Sequence, residues 1–127
     1  MSPFADLAEI APHLIWEGVV GRVVESDRVT FAVIELEPST IVPEHAHENE
    51  QMGVLVDGSL RFRIGDEERE LEPGATWQIP SHVPHSVVAG PEGAVLVEVF
   101  APGRADWGAL DRREPSAPLW PVRSGPL

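Results

Sequence analysis

The chain has 127 residues, enough for one domain that buries about two-thirds of its extended-chain surface. Hydrophobic residues make up 43%, which excludes wholesale disorder, and 21 Asp and Glu against 9 Lys and Arg leave a net charge of −12. That field repels phosphate backbones and anionic bilayers, so nucleic acid and membrane surfaces are poor partners, and an anionic ligand needs a local cation.

In chain order, MSPFADLAEI lacks the basic region and apolar stretch of a signal peptide, and residues 1–17 read as an N-terminal arm. Short β-branched runs follow: GVVGRVV (18–24), VTFAVIELE (29–37), MGVLV (52–56), SLRFRIG (59–65), TWQIP (76–80), HSVVAG (85–90) and AVLVEVF (94–100). Turn signals such as SD, EP, DGS, GDEE, EPG and GPEG separate them, and DG at 57–58 reads as a hairpin turn. The spacing predicts an antiparallel all-β sandwich or barrel with little helix. Most of the thirteen prolines fall at these turns, where a fixed φ and a missing N–H do no harm. The barrel is expected over about 18–104. A Pro-rich tail over about 109–127 would begin with a helical turn and then run extended, with Trp120 as its anchor. No apolar run approaches the roughly 20 residues of a bilayer span, so a soluble cytoplasmic protein is the expectation.

Five histidines and no cysteine mean that any metal must be held by imidazole, carboxylate or amide. In HAHENEQ (45–51), His45 and His47 share a face if the chain is extended, and Gln51 keeps that parity. His85 opens a later strand. Three imidazoles and an amide oxygen make an open site for one divalent transition metal, with Zn, Ni, Fe, Mn and Co all compatible. The alternative is a solvated loop with surface histidines. His13, in the arm, reads as structural or solvent-facing.

The spacing around these residues weighs against the solvated loop. His-x-His, three residues, Gln51, six residues, Gly58 is similar to the first motif of the cupins; Gly74, five residues, Pro80 and His85 five further on is similar to the second. The chain resembles a small single-domain cupin over about residues 18–104. The resemblance implies a double-stranded β-helix, a jelly-roll barrel, with His45, His47, Gln51 and His85 as metal ligands. Three positions depart from the pattern: Gln51 stands where Glu is more frequent, His82 replaces a glycine, and Ala89 replaces an asparagine. Glu50 is adjacent to Gln51, but strand parity favours Gln51. A neutral amide there leaves the metal its full double charge and a stronger Lewis acidity. His82 reads as a surface turn residue.

The last strand, EVFAPGRADW (98–107), taken with the first motif, resembles the uronate-linearising cupins of pectin and alginate breakdown. In that group an acid, a phenylalanine two residues on and an arginine four further accompany the metal set. Glu98, Phe100 and Arg104 reproduce the spacing, with Glu98 one methylene longer than the group's Asp. The resemblance implies opening of 4,5-unsaturated uronate monosaccharides to the linear keto form. Glu98 would be general acid or base, and Phe100 and Arg104 would hold a carboxylate-bearing substrate. The alternative is that Glu98 is a structural ion-pair partner of Arg61, Arg63 or Arg104, with Arg104 capping the barrel rim. Two further functional readings stay open, a dioxygenase of the flavonol-cleaving type and a non-enzymatic small-molecule-binding module. A homodimer is expected, because the apolar residues of Phe4–Trp16 have no evident role in one barrel core.

Overall fold

The computed structural model describes residues 2–122. Eight strands dominate: β1 (His13–Trp16), β2 (Val19–Glu25), β3 (Thr30–Leu36), β4 (Ile41–His45), β5 (Glu50–Ile64), β6 (Glu67–Leu71), β7 (Thr76–Ile79) and β8 (His85–Ala101). The only helical segments among the described residues are 3-10 turns at Leu7–Glu9 and Ala105–Ala109. No helix among the described residues is long and apolar enough to cross a membrane.

All strand pairs are antiparallel, and β5 and β8 pair with each other almost end to end. The first half of β5 and the second half of β8 sit in one sheet, ordered β1-β2-β3-β8-β5-β7. Their other halves sit in a second sheet, ordered β4-β8-β5-β6. Two strands shared between two facing sheets make the jelly-roll barrel expected from the motifs. Its core comes from alternate residues: Ala32, Ile34 and Leu36 of β3 meet Leu55, Leu60, Phe62, Ile79, Val87 and Leu96.

The hairpin expected at Asp57–Gly58 is not there. The runs 52–56 and 59–65 are one bent strand, as are 85–90 and 94–100. Gly58 and Gly93 adopt left-handed φ values of 81° and 80°, and the β5–β8 register shifts on either side of Asp57–Gly58. A Cβ on Gly58 would lie 2.0 Å from the Gly93 carbonyl oxygen, so the two strands cross too closely for any side chain there. The Asp-Gly pair supplies a bulge that carries the strand from one sheet to the other.

Three strands escape the pattern of alternation. EEREL (67–71) has one apolar residue, β4 contains Pro43, and β1 is short. Pro43 is tolerated because β4 is an edge strand paired only with β8. The arm has a core role after all: Ile15 packs against the core, and His13 is buried rather than solvent-facing. The helical turn expected at the start of the tail lies before it, at Ala105–Ala109, and the described part of the tail then crosses the outer face of the first sheet. Its lock is Arg22, 2% exposed, which donates to the Ser116 carbonyl and hydroxyl (both 3.0 Å) and pairs with Glu35 at 2.8 Å. Glu35 also accepts from the Leu119 amide at 2.9 Å. Trp120, the expected anchor, is only half-buried.

Candidate metal centre

Strand register brings the histidines together. His45 ends β4 directly opposite His85, the first residue of β8, and their ring centroids are 4.2 Å apart. The chain then leaves the strand: residues 46–49 are a bent loop, so His47 and Gln51 do not reach the site by unbroken extended parity. His47 is brought back by that bend, 5.0 Å from His85 and 5.8 Å from His45 between ring centroids. One nitrogen from each of the three imidazoles lies within 4.8 Å of the others. Gln51 is buried on β5 with Oε1 3.1 Å from His47 Nε2, whereas Glu50 is exposed.

The imidazoles are oriented for ligation. Each Nδ1 faces a backbone carbonyl: Pro43 for His45 (2.8 Å), Asn49 for His47 (3.0 Å) and Val83 for His85 (2.9 Å). A carbonyl only accepts, so each Nδ1 carries the proton and each Nε2 presents a bare lone pair. His85 Nε2 is buried without a hydrogen-bond partner, and His47 Nε2 meets an amide oxygen that is likewise an acceptor. Lone pairs crowded together with no proton between them are what a divalent cation would resolve, and the donor set fits one. Burial lowers the pKa of His47 and takes that of His85 down to about 4, so the His85 ring stays neutral well below pH 7.

Below the imidazoles, Glu98 points from β8 into the barrel, 4% exposed. It accepts hydrogen bonds from the Gln51 amide nitrogen and from Trp77 Nε1, the latter at 2.9 Å. Burial pushes its pKa up, and these two donors together with Arg104 pull it partly back. None of the arginines considered for it is a contact partner: Arg61 pairs with Glu70, Arg63 donates to the Gly65 carbonyl, and Arg104 pairs with Asp106. Gln51 thus serves two sides at once, its oxygen toward His47 and its nitrogen toward Glu98. A glutamate at 51 would instead set two carboxylates against each other.

Phe100 is buried with its ring 6.0 Å from that of His47. The Arg104 guanidinium lies over Phe100 (5.1 Å) and over Trp107 (4.6 Å) and is held by both oxygens of Asp106. These groups surround a cavity of about 210 Å³ whose deeper wall is aliphatic, including Ile34, Leu36, Val42 and Leu96. His82 is exposed in the turn before β8 with φ 64°, its amide donating to the His47 carbonyl at 2.7 Å. The left-handed φ explains why a glycine suits this position. Ala89 is a buried core residue.

Sequence reasoning missed several members of the site. Trp77 on β7 and Trp107 in the 3-10 turn belong to no motif. Asn49 lies inside HAHENEQ; it is buried, and its side-chain amide donates to the Pro102 (2.5 Å) and Gly103 (3.2 Å) carbonyls, joining the histidine loop to the Arg104 loop. An amide set between Glu48 and Glu50 is the one signal of it in the sequence.

A barrel of two sheets sharing two bent strands, with a histidine cluster at one end, defines a cupin. Residues 32–100 match the Cupin domain family, and the chain belongs to it. It is similar to the pectin degradation protein KdgF of Dickeya dadantii (strain 3937), 28% identical over 93 residues that cover 72% of this chain and 84% of that protein. Among solved structures it is similar in fold to an RmlC-like cupin from Shewanella frigidimarina NCIMB 400, with TM-score 0.78 and 22% identity over 84% of this chain and 96% of that one. It is likewise similar in fold to KdgF from Halomonas sp., with TM-score 0.76 and 23% identity over 84% of this chain and 98% of that one.

Proposed function

We propose that this cupin is a metal-dependent isomerase that opens 4,5-unsaturated uronate monosaccharides to the linear keto form. The observation that carries the reading is Glu98: a buried carboxylate facing the cavity beside the histidine cluster, held by two neutral donors and, among the described residues, by no arginine. The likeness to a pectin degradation protein supports the substrate class.

His45, His47, Gln51 and His85 are the proposed ligands, and a divalent metal held there would supply Lewis acidity toward a sugar oxygen. Ring opening breaks the bond between the anomeric carbon and the ring oxygen as the anomeric hydroxyl gives up its proton and becomes an aldehyde, and the resulting enol becomes a ketone by taking a proton on carbon. A carboxyl group with a raised pKa, fixed by Gln51 and Trp77, is suited to that transfer. Phe100 offers a flat apolar wall, and Arg104 is the cation that an acidic protein requires for a substrate carboxylate.

Elemental analysis of protein purified without added metal, followed by incubation with unsaturated galacturonate, tests this. Stoichiometric metal and loss of the conjugated double bond's ultraviolet absorbance are expected. Fully metallated protein that leaves the substrate unchanged would end the reading. The aliphatic deeper wall would then favour a ligand with an apolar body, as in the dioxygenase or binding-module readings.

A further inference from the structure

Among the described residues Arg104 is the one cation in the wall of the cavity, and the Nε–Nη2 side of its guanidinium is already occupied. Nε donates to one oxygen of Asp106 at 3.1 Å and Nη2 to the other at 3.0 Å, the side-on bidentate arrangement an incoming carboxylate would use. We infer that Asp106 is a built-in competitor that occupies the side-on carboxylate subsite of Arg104 and must be displaced by a ligand that binds that side, making it a specificity-determining residue. The inference rests on the proposed carboxylate-binding role of Arg104.

Of the two partners, Asp106 is the one free to leave. The Arg104 side chain is 13% exposed and lies over the rings of Phe100 and Trp107. Its backbone is pinned as well: the Arg104 amide donates to Thr30 Oγ1 at 2.7 Å, and Asn49 holds the two preceding carbonyls. Asp106 is 64% exposed, in the 3-10 turn at the cavity's edge, and its carboxylate has no other side-chain partner among the described residues. Arg104 holds that carboxylate's pKa below its ordinary value, so it competes as an anion at neutral pH. An anionic ligand exchanges one carboxylate for another on a fixed fork, whereas a neutral congener has nothing to offer the arginine and leaves the pair closed. Discrimination then comes from the exchange itself.

The test uses the full-length protein with galacturonate, which has the carboxylate but not the double bond, and galactose as its neutral counterpart, titrated by calorimetry or NMR. Asp106→Asn and Asp106→Ala should each lower the galacturonate dissociation constant about fivefold, the factor set by loss of one partly exposed ion pair, and leave galactose unchanged. Asp111→Asn, which removes the same unit of charge nearby in the chain, should change neither. Arg104→Ala should weaken galacturonate binding and abolish the gain from Asp106→Asn. Weaker or unchanged galacturonate binding in both Asp106 variants, an equal gain in Asp111→Asn, or no detectable binding to any variant overturns the inference. Tighter galacturonate binding in a protein inert toward unsaturated galacturonate would leave the competitor in place and remove the ring-opening reading alone.

Discussion

Among the described residues two charged side chains are buried, and they are treated in opposite ways. Arg22, on the outer face of the first sheet, is surrounded by Glu35, the Ser116 carbonyl and hydroxyl, and the Ala117 carbonyl. Glu98, on the inner face, meets only the neutral donors of Gln51 and Trp77. The compensated charge holds the tail on the sheet. The uncompensated one is left with a protonation state that its surroundings can tip, which suits proton transfer more than stability.

Exchanging the charge at each place should therefore break different things. Glu98→Gln is expected to lower kcat on unsaturated galacturonate by roughly 10²–10⁴-fold while metal content and melting temperature hold, because the amide keeps the volume and loses the titrating proton. Steady-state kinetics beside thermal melts check this; a fall in melting temperature with unchanged turnover would make Glu98 structural. Arg22→Ala should do the reverse. It strands Glu35 and frees residues 116–119, costing about 3 kcal/mol in denaturant unfolding, with proteolysis of the tail and unchanged kcat in the folded fraction.

Acid sharpens the contrast. His85 has a folded pKa of about 4 against an ordinary 6.5, so its contribution to stability is complete above about pH 6.5 and is lost as the pH falls toward 4. Metal-free protein should lose melting temperature across that window, and metal-free His85→Gln should lose less. The smallest effect belongs to the turn beside the site. His82→Gly relieves a left-handed φ of 64°, and the gain, offset by the freer unfolded chain, should be less than about 1 kcal/mol with unchanged kinetics.

These regions also differ in how far the sequence disclosed them. The convergence of His45, His47 and His85 was legible because motif spacing encodes strand register, and a barrel turns register into proximity. Most of the strands were legible from alternation. The Arg22 lock was not: its partner Ser116 is 94 positions away, and an arginine in VVGRVV reads as an ordinary outward residue. The loop path from His45 to Gln51 was misjudged for a similar reason, since its bend is held by the Asn49 contacts to Pro102 and Gly103. The bent strands failed differently. Asp-Gly is the same local signal for a turn and for a bulge, and only the close approach of Gly93 selects the bulge.

Those bends have a dynamic consequence. Because β5 and β8 each belong to both sheets, neither sheet can open without breaking the pairing that also carries Gln51, His85 and Glu98. Amide protons along the β5–β8 ladder should exchange with solvent only through global opening, so that Gln51, His85 and Glu98 leave their places only when the fold is lost, whereas His45 on edge strand β4 and His47 on its loop can open locally.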